Sequence, residues 1–217
     1  MSALYQFGRV VVAPVLRRAW HLEVTGAENV PKHGPVIVAA NHHSFIDSTI
    51  LPMATGRQLF FLAKDEYFQN PVTRFVMKEL NQIKVDRSSG RASLMAIDAA
   101  LPFLFAGKPL GIFPEGTRSP DGRLYRGRPG VAKLALDSGA PIVPVGLFGT
   151  EGVQPIGKRF PGTGRVRVVI GKQLDLAPFR NEQHNSRLYR EIAELLMRQI
   201  AEITGQEYVG RYARRDR

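Results

Sequence analysis

Residues 41–47 read Asn41-His42-His43-Ser44-Phe45-Ile46-Asp47, which puts two imidazoles and a carboxylate within a few residues of one another. Ser44 followed three residues later by Asp47 resembles a capping box. It would start a helix at Ser44, with His42 just ahead of it and Asp47 in its first turn. A carboxylate on one imidazole nitrogen fixes the tautomer and leaves the other nitrogen as a base. This is the base half of a serine-type triad without the serine. The same residues admit other readings. Ser44 could be a nucleophile, although a capping serine points into its helix start. His42, His43 and Asp47 could bind a metal, although adjacent histidines in an extended turn point apart. His42 and Asp47 could also simply brace the turn. Spacing alone leaves these open.

A second cluster, Phe113-Pro114-Glu115-Gly116-Thr117-Arg118, delivers an acid, a glycine, a hydroxyl and a guanidinium in sequence. Gly116 lets backbone approach a ligand closely, and exposed N–H groups beside it could hold an oxyanion. Arg118 can grip a phosphate through a bidentate fork. Arg123, Arg126, Arg128 and Lys133 follow against the single acid Asp121. They are expected to form a positive funnel beside the site.

Both clusters must be held by regular elements. Residues 36–40 and 59–63 are short continuous apolar runs, as expected of strands buried on both faces. Strands are also expected around Ile83 and Val85, at 110–113, at 142–145 and at 166–170. Helices are expected at 45–54, from Asn70 to about Leu80, at 93–105 with a kink or break at Pro102, at 131–138 closed by Gly139, and at 184–203. The last carries Leu188, Ile192, Leu195, Leu196, Ile200 and Ile203 as one apolar stripe. Strands alternating with helices imply an α/β fold, a largely parallel mixed sheet flanked by helices. Ligands then belong beyond the carboxyl ends of the strands, where both clusters fall. The proline pair Pro141 and Pro144 suggests that 142–145 is a strand end or an edge. The Gly/Pro-rich stretches 114–130 and 146–164 read as long functional loops, and the basic tail 205–217 as a segment that frays.

Composition limits the rest. The 217 residues carry 30 Lys+Arg against 19 Asp+Glu, a formal charge of +11, with 44% hydrophobic residues, 23% charged residues and no cysteine. A chain of this length buries about 70% of its unfolded surface, so one domain needs no staple. The absence of cysteine rules out disulfide frameworks, thiol nucleophiles and Cys-based zinc sites. The charge suits an anionic partner: nucleic acid, anionic lipid or a phosphorylated substrate. Tyr125 is the lone aromatic in the basic loop, which argues against nucleic acid, where aromatics interleave with basic residues. Residues 1–22 hold apolar side chains (Phe7, Val10, Val15, Trp20 among them) with arginines and no acid before Leu22. The apolar run 10–16 contains Pro14 and is too short to span a bilayer. Charges on both sides of it do not suit a secretory signal. The segment reads instead as an amphipathic helix lying in a membrane interface. The expected division is a membrane-associating segment over 1–22 and a catalytic domain over 23–217.

Four ordered blocks carry a resemblance: Asn-His-His-Ser-Phe-Ile-Asp at 41–47, a strand ending in Asp86-Arg87, Phe-Pro-Glu-Gly-Thr-Arg at 113–118, and Pro-Ile-Val-Pro-Val at 141–145. Together they resemble the glycerolipid acyltransferases, including the 1-acylglycerol-3-phosphate O-acyltransferase type, over residues 35–148. The resemblance implies transfer of an acyl chain from an acyl thioester (of coenzyme A or acyl carrier protein) to the hydroxyl of a lysophospholipid, lysophosphatidic acid first. Another lysophospholipid or glycerol 3-phosphate is the next acceptor. It implies His42 as catalytic base and Asp47 as its partner. It places Arg87, Glu115, Gly116, Thr117 and Arg118 on the acceptor, Lys64 on a phosphate, and Pro144 on the acyl-donor side. It implies no cofactor, no metal, no nucleic-acid partner, and a peripheral or monotopic place on the cytoplasmic face of an anionic membrane. The second block departs from the family's pattern, with Asn81 where glycine is usual and Lys84 where an apolar residue is common. A different class, a non-catalytic basic membrane-binding protein, has charge alone behind it. A serine hydrolase would need Gly-x-Ser-x-Gly, which the chain lacks.

Overall fold

A computed structural model describes residues 6–71, 74–75, 77, 82–85, 92–179 and 181–214. Its centre is a five-stranded sheet in the order β1-β8-β7-β2-β5, built from β1 (Glu23–Thr25), β8 (Arg167–Ile170), β7 (Ile142–Phe148), β2 (Ile37–Ala40) and β5 (Leu110–Ile112). All pairs are parallel except β7 with β8. A second parallel pair, β3 (Phe61–Lys64) and β4 (Gln82–Val85), continues outward from β5. Phe60 joins them, donating its N–H to Pro109 at 2.9 Å and accepting from Gly111 at 2.7 Å. The expected largely parallel mixed sheet is present.

The core follows the two-residue period of β2. Ile37 and Ala39 face one layer with α3 (Ala92–Phe105), α4 (Gly130–Ser138) and α6 (Ser186–Thr204). Val38 and Ala40 face the other, with α2 (Asp47–Thr55) and Trp20. On α6, Leu188, Ile192, Leu196 and Ile200 are buried, and Asn185 caps its start by accepting from Arg187 and Leu188 N–H at 2.9 and 3.0 Å. Gly139 takes the left-handed conformation that closes α4, as its position predicts. α3 continues past Pro102 to Phe105, so the helix does not break there. The helix expected from Asn70 is described only at Pro71, Arg74, Phe75 and Met77, all helical. Its remainder lies outside the described residues.

Several expectations are corrected. β7 is the central strand, not an edge. Pro144 is tolerated because Val145, opposite Ile170, opens the β8 ladder, so the missing N–H falls just before it. The Pro144 carbonyl still accepts from Gly171 N–H at 2.8 Å. β7 runs on to Phe148, and a short helix α5 (Thr150–Val153) follows, which shortens the loop expected at 146–164. The loop at 114–130 contains β6 (Leu124–Tyr125), paired with β9 (Tyr208–Val209) in the tail that was expected to fray. Tail residue Ala213 is also buried.

The N-terminal segment is helical, with a π-turn at Gly8–Val12 running into α1 (Ala13–Ala19). Pro14 lacks an N–H and its ring crowds the preceding turn, which the wider i→i+5 bond from Ala13 N–H to Gly8 accommodates. Trp20, expected in the interface set, points inward instead and is 2% exposed. Phe7, Val10, Val11, Val12 and Val15 remain exposed. Among the described residues no helix is long and apolar enough to cross a membrane.

Candidate active site

β2 and β5 are parallel neighbours, so the chain leaves both at the same sheet end, and the two clusters meet there. His42 lies two residues beyond β2. Its Nδ1 is 2.8 Å from Asp47 Oδ2. That oxygen also accepts the N–H groups of His43 and Ser44, each at 2.8 Å. Asp47 is completely buried, whereas the His42 side chain keeps some exposure. An acceptor-only carboxylate on Nδ1 puts the ring proton there and leaves Nε2 with its lone pair.

The turn is built differently from a capping box. α2 starts at Asp47, after a turn at Phe45 and Ile46, and no side chain caps it. Asp47 reaches back to the Ser44 N–H, the one half of a capping box that is present, and to the His43 N–H. The Ser44 hydroxyl donates to the Gln154 carbonyl at 2.8 Å. That bond directs it to α5 and away from the nucleophile reading. Among the described residues no three acidic or imidazole side chains lie close enough to hold a metal ion.

The second cluster bolts the first in place. Glu115 is 1% exposed. Its Oε1 accepts His42 N–H at 3.2 Å and its Oε2 accepts Tyr125 N–H at 2.9 Å. Ser119 N–H in turn donates to the His42 carbonyl at 2.7 Å. Both backbone groups of His42 are therefore held by the loop after β5. Burial pushes the Glu115 carboxyl up to about 7, opposed by its two backbone hydrogen bonds and assisted by the charges of Asp47 and Asp121. Above the turn, the His42 ring stacks on Phe113 with centroids 3.9 Å apart and planes 11° from parallel. Phe61 stacks behind Phe113 at 5.9 Å. Gly111 makes that stack possible, since a Cβ there would lie 2.2 Å from the Phe61 ring.

Gly116 has φ 77°, and a Cβ on it would lie 2.6 Å from Arg128 Nε. Its N–H closes a turn onto the Phe113 carbonyl at 3.0 Å. The oxyanion donor expected near Gly116 is thus not its own amide in this conformation. Thr117 and Arg118 are half-buried, and Arg118 has no ion pair among the described residues. The expected funnel is smaller than its cation count, because three members are paired internally. Arg123 binds Asp121 at 2.7 Å, Arg126 binds Glu194 at 2.5 Å, and Lys133 binds Asp137. Lys64 closes β3 opposite Val85, and its side chain lies outside the described residues, as does all of Arg87.

Three contributors were not assigned by the sequence reading. Asn41 is buried and docks on β7, donating to the Leu147 carbonyl at 3.0 Å and accepting Leu147 N–H at 2.7 Å. Gln206 reaches back from the tail. It accepts from Asn41 at 3.0 Å, lies 3.1 Å from His43 Nε2, and donates to the Gly122 carbonyl at 2.6 Å. Phe113 is the third. Asn41 had a signal, a polar residue directly after an apolar strand. Gln206 had none.

Comparison with known proteins agrees with this geometry. The sequence profile of the Acyltransferase family matches residues 21–147. A chloroplast 1-acyl-sn-glycerol-3-phosphate acyltransferase of Brassica napus is 32% identical over 154 residues, 70% of this chain. The chain spans 44% of that relative's length and 44% of an Arabidopsis thaliana relative's. A 1-acyl-sn-glycerol-3-phosphate acyltransferase of Bacillus subtilis is 28% identical across 92% of this chain and 96% of its own. Among solved structures, the 1-acyl-sn-glycerophosphate acyltransferase of Thermotoga maritima superposes with a TM-score of 0.67 at 27% identity. That match covers 94% of this chain and 84% of the other.

Proposed function

The chain belongs to the acyltransferase family, and from that premise we propose that it moves a fatty acyl group from an acyl thioester to the free hydroxyl of a lysophospholipid, lysophosphatidic acid first. The observation that carries the reading is the His42–Asp47 contact, in which one carboxylate oxygen gathers the ring Nδ1 and two backbone N–H groups. Nε2 of His42 takes the proton from the acceptor hydroxyl as that oxygen attacks the thioester carbonyl. The tetrahedral intermediate collapses by breaking the C–S bond. The thiolate leaves and receives the proton from His42. A thiolate is a far better leaving group than an alkoxide, so the reaction needs no acyl-enzyme. Asp47 stabilises the imidazolium that forms in between.

The remaining site residues take supporting roles in the same proposal. Arg118, with Lys64 and Arg87, binds the acceptor's phosphate, and Gly116 and Thr117 shape the loop against it. Glu115 acts through the His42 backbone, as its inward-facing oxygens support. The exposed apolar face before Trp20 supports a peripheral or monotopic place on the cytoplasmic face of a membrane, with residues 1–22 as the associating segment and 23–217 as the catalytic domain.

The test is thiol release from palmitoyl-CoA with and without lysophosphatidic acid, for wild type and His42→Ala. The proposal expects release that needs the acceptor and that falls about 10²–10⁴-fold in the variant, roughly 3–5 kcal/mol of barrier. Release without acceptor would make the protein a thioesterase and overturn it.

A further inference from the structure

Resting on the lipid reading above, we propose that the loop at 154–162 is a second membrane contact. It would press Ile156 and Phe160 into the acyl boundary of an anionic leaflet and set Lys158 and Arg159 among the headgroups. Phe160 is 70% exposed and Ile156 46%. The Arg159 guanidinium lies 5.5 Å from the Phe160 ring centre. No acid occurs from Gly152 through Arg165. Apolar tips separated by two cations suit a surface that is negative outside and hydrocarbon within.

A floppy loop would lose much of that affinity to ordering. This one is held from inside. Gln154 is buried, and its side-chain N–H₂ donates to the carbonyls of Lys158 at 3.2 Å and Arg159 at 3.3 Å. Lys158 N–H bonds Pro155 at 3.0 Å, and Gly162 N–H bonds Val153 at 2.8 Å. The tip is therefore presented in a fixed shape.

Its two attachments say what it serves. Trp20 Nε1 donates to the Gly162 carbonyl at 3.1 Å, and Gly164 N–H to Ala19 at 3.4 Å. The loop thus returns against the end of α1, where Val15 is exposed together with Arg17 and Arg18. On the other side, the Ser44 hydroxyl holds the Gln154 carbonyl, and Ile156 lines a cleft of about 210 Å³ together with His43, Ser119 and Glu151. The loop spans from the helical segment to the catalytic turn. A membrane under both would bring a lipid's hydroxyl up beside His42.

The test uses the full chain. Because the protein has no cysteine, Phe160→Cys offers a unique place for an environment-sensitive fluorophore. With equimolar phosphatidylglycerol–phosphatidylcholine vesicles, the label should shift to the blue. An unshifted label on protein that still sediments with the vesicles would overturn the proposal. Phe160→Ser should weaken vesicle affinity roughly tenfold with an unchanged Tm. A variant that loses a concentration-dependent oligomer instead would make the tip a self-interface, and would also overturn it. Turnover of detergent-dispersed lysophosphatidic acid by Phe160→Ser should equal wild type. Absence of that turnover in wild type would sink the acyltransferase reading while leaving the vesicle result to stand on its own.

Discussion

The turn at 41–47 and the helix that ends at Trp20 are opposites in how their chemistry is matched. In the turn, most buried polar groups find partners within the protein, with Asp47 Oδ1 an exception among the described residues. Asp47 Oδ2 gathers three contacts, Glu115 two, and Gln206 joins Asn41, His43 and Gly122. In the π-turn and α1, most side chains are apolar and none is buried. Burying polar groups is tolerable when they are paired, and exposing a contiguous apolar face points to a partner outside the chain. The turn draws nearly all its contacts from inside the molecule. The helix leaves most of its apolar side chains exposed.

The largest effect should come from the turn. Asp47→Asn removes the charge that fixes the His42 tautomer and stabilises its imidazolium, so kcat should fall about 10²–10³-fold, a loss within the range of general-base catalysis. Single-turnover rates with lysophosphatidic acid would measure it, and an unaltered rate would break the paired-base reading. Next is Glu115→Gln. One of two backbone N–H groups loses its acceptor, which costs about 1–3 kcal/mol of stability, and kcat should fall with the acceptor KM unchanged. A raised KM with constant kcat would instead put Glu115 on the acceptor.

Glu115 also gives the buried region a pH signature. Its carboxyl is raised from 4.5 to about 7 in the folded protein. Between those values the native state holds a proton that the unfolded chain releases. Stability from this group is therefore full below about 4.5 and lost as pH rises through 7, by a few kcal/mol. Urea unfolding of wild type at pH 5 and pH 8 should show that fall, and Glu115→Gln should flatten it.

Arg118→Ala should raise the KM for a phosphorylated acceptor about tenfold, the scale of one charge-assisted contact, with little change in kcat. A constant KM would place the phosphate elsewhere. The smallest effect on the fold sharpens the comparison from the other side. Val10→Ser with Val15→Ser should leave Tm within a degree or two while weakening sedimentation with anionic vesicles severalfold. A large drop in Tm would show that the helix belongs to the core after all.

What could be read in advance divides along the same line. β2, β5 and α6 were legible because continuous apolar runs and a helical stripe report burial directly. The His42–Asp47 pair was legible because four intervening residues in a turn bring the two together. The inward turn of Glu115 was not, since a Glu-Gly-Thr sequence after a strand looks exposed until Tyr125 and His42 close on it. Pro144 misled because a sequence does not say on which side of a strand, or at which end, a ladder is absent. The basic loop looked freer than it is because Glu194 lies far along the chain. Trp20 looked interfacial because its neighbours are, yet its ring is the anchor that lets them face outward.

The brace at Gln206 sets an order of events in time. The catalytic turn is synthesised well before Gln206, which is 165 residues beyond Asn41 and 163 beyond His43. A contact spanning that much chain closes late in folding. A ribosome that has passed Asp47 has made every atom of the acid–base pair, but not the tail residue that ties Asn41 and His43 to the loop carrying Gly122. A truncated product that stops short of position 206 would carry the pair without that tie, so assembly of the site is coupled to translation through position 206.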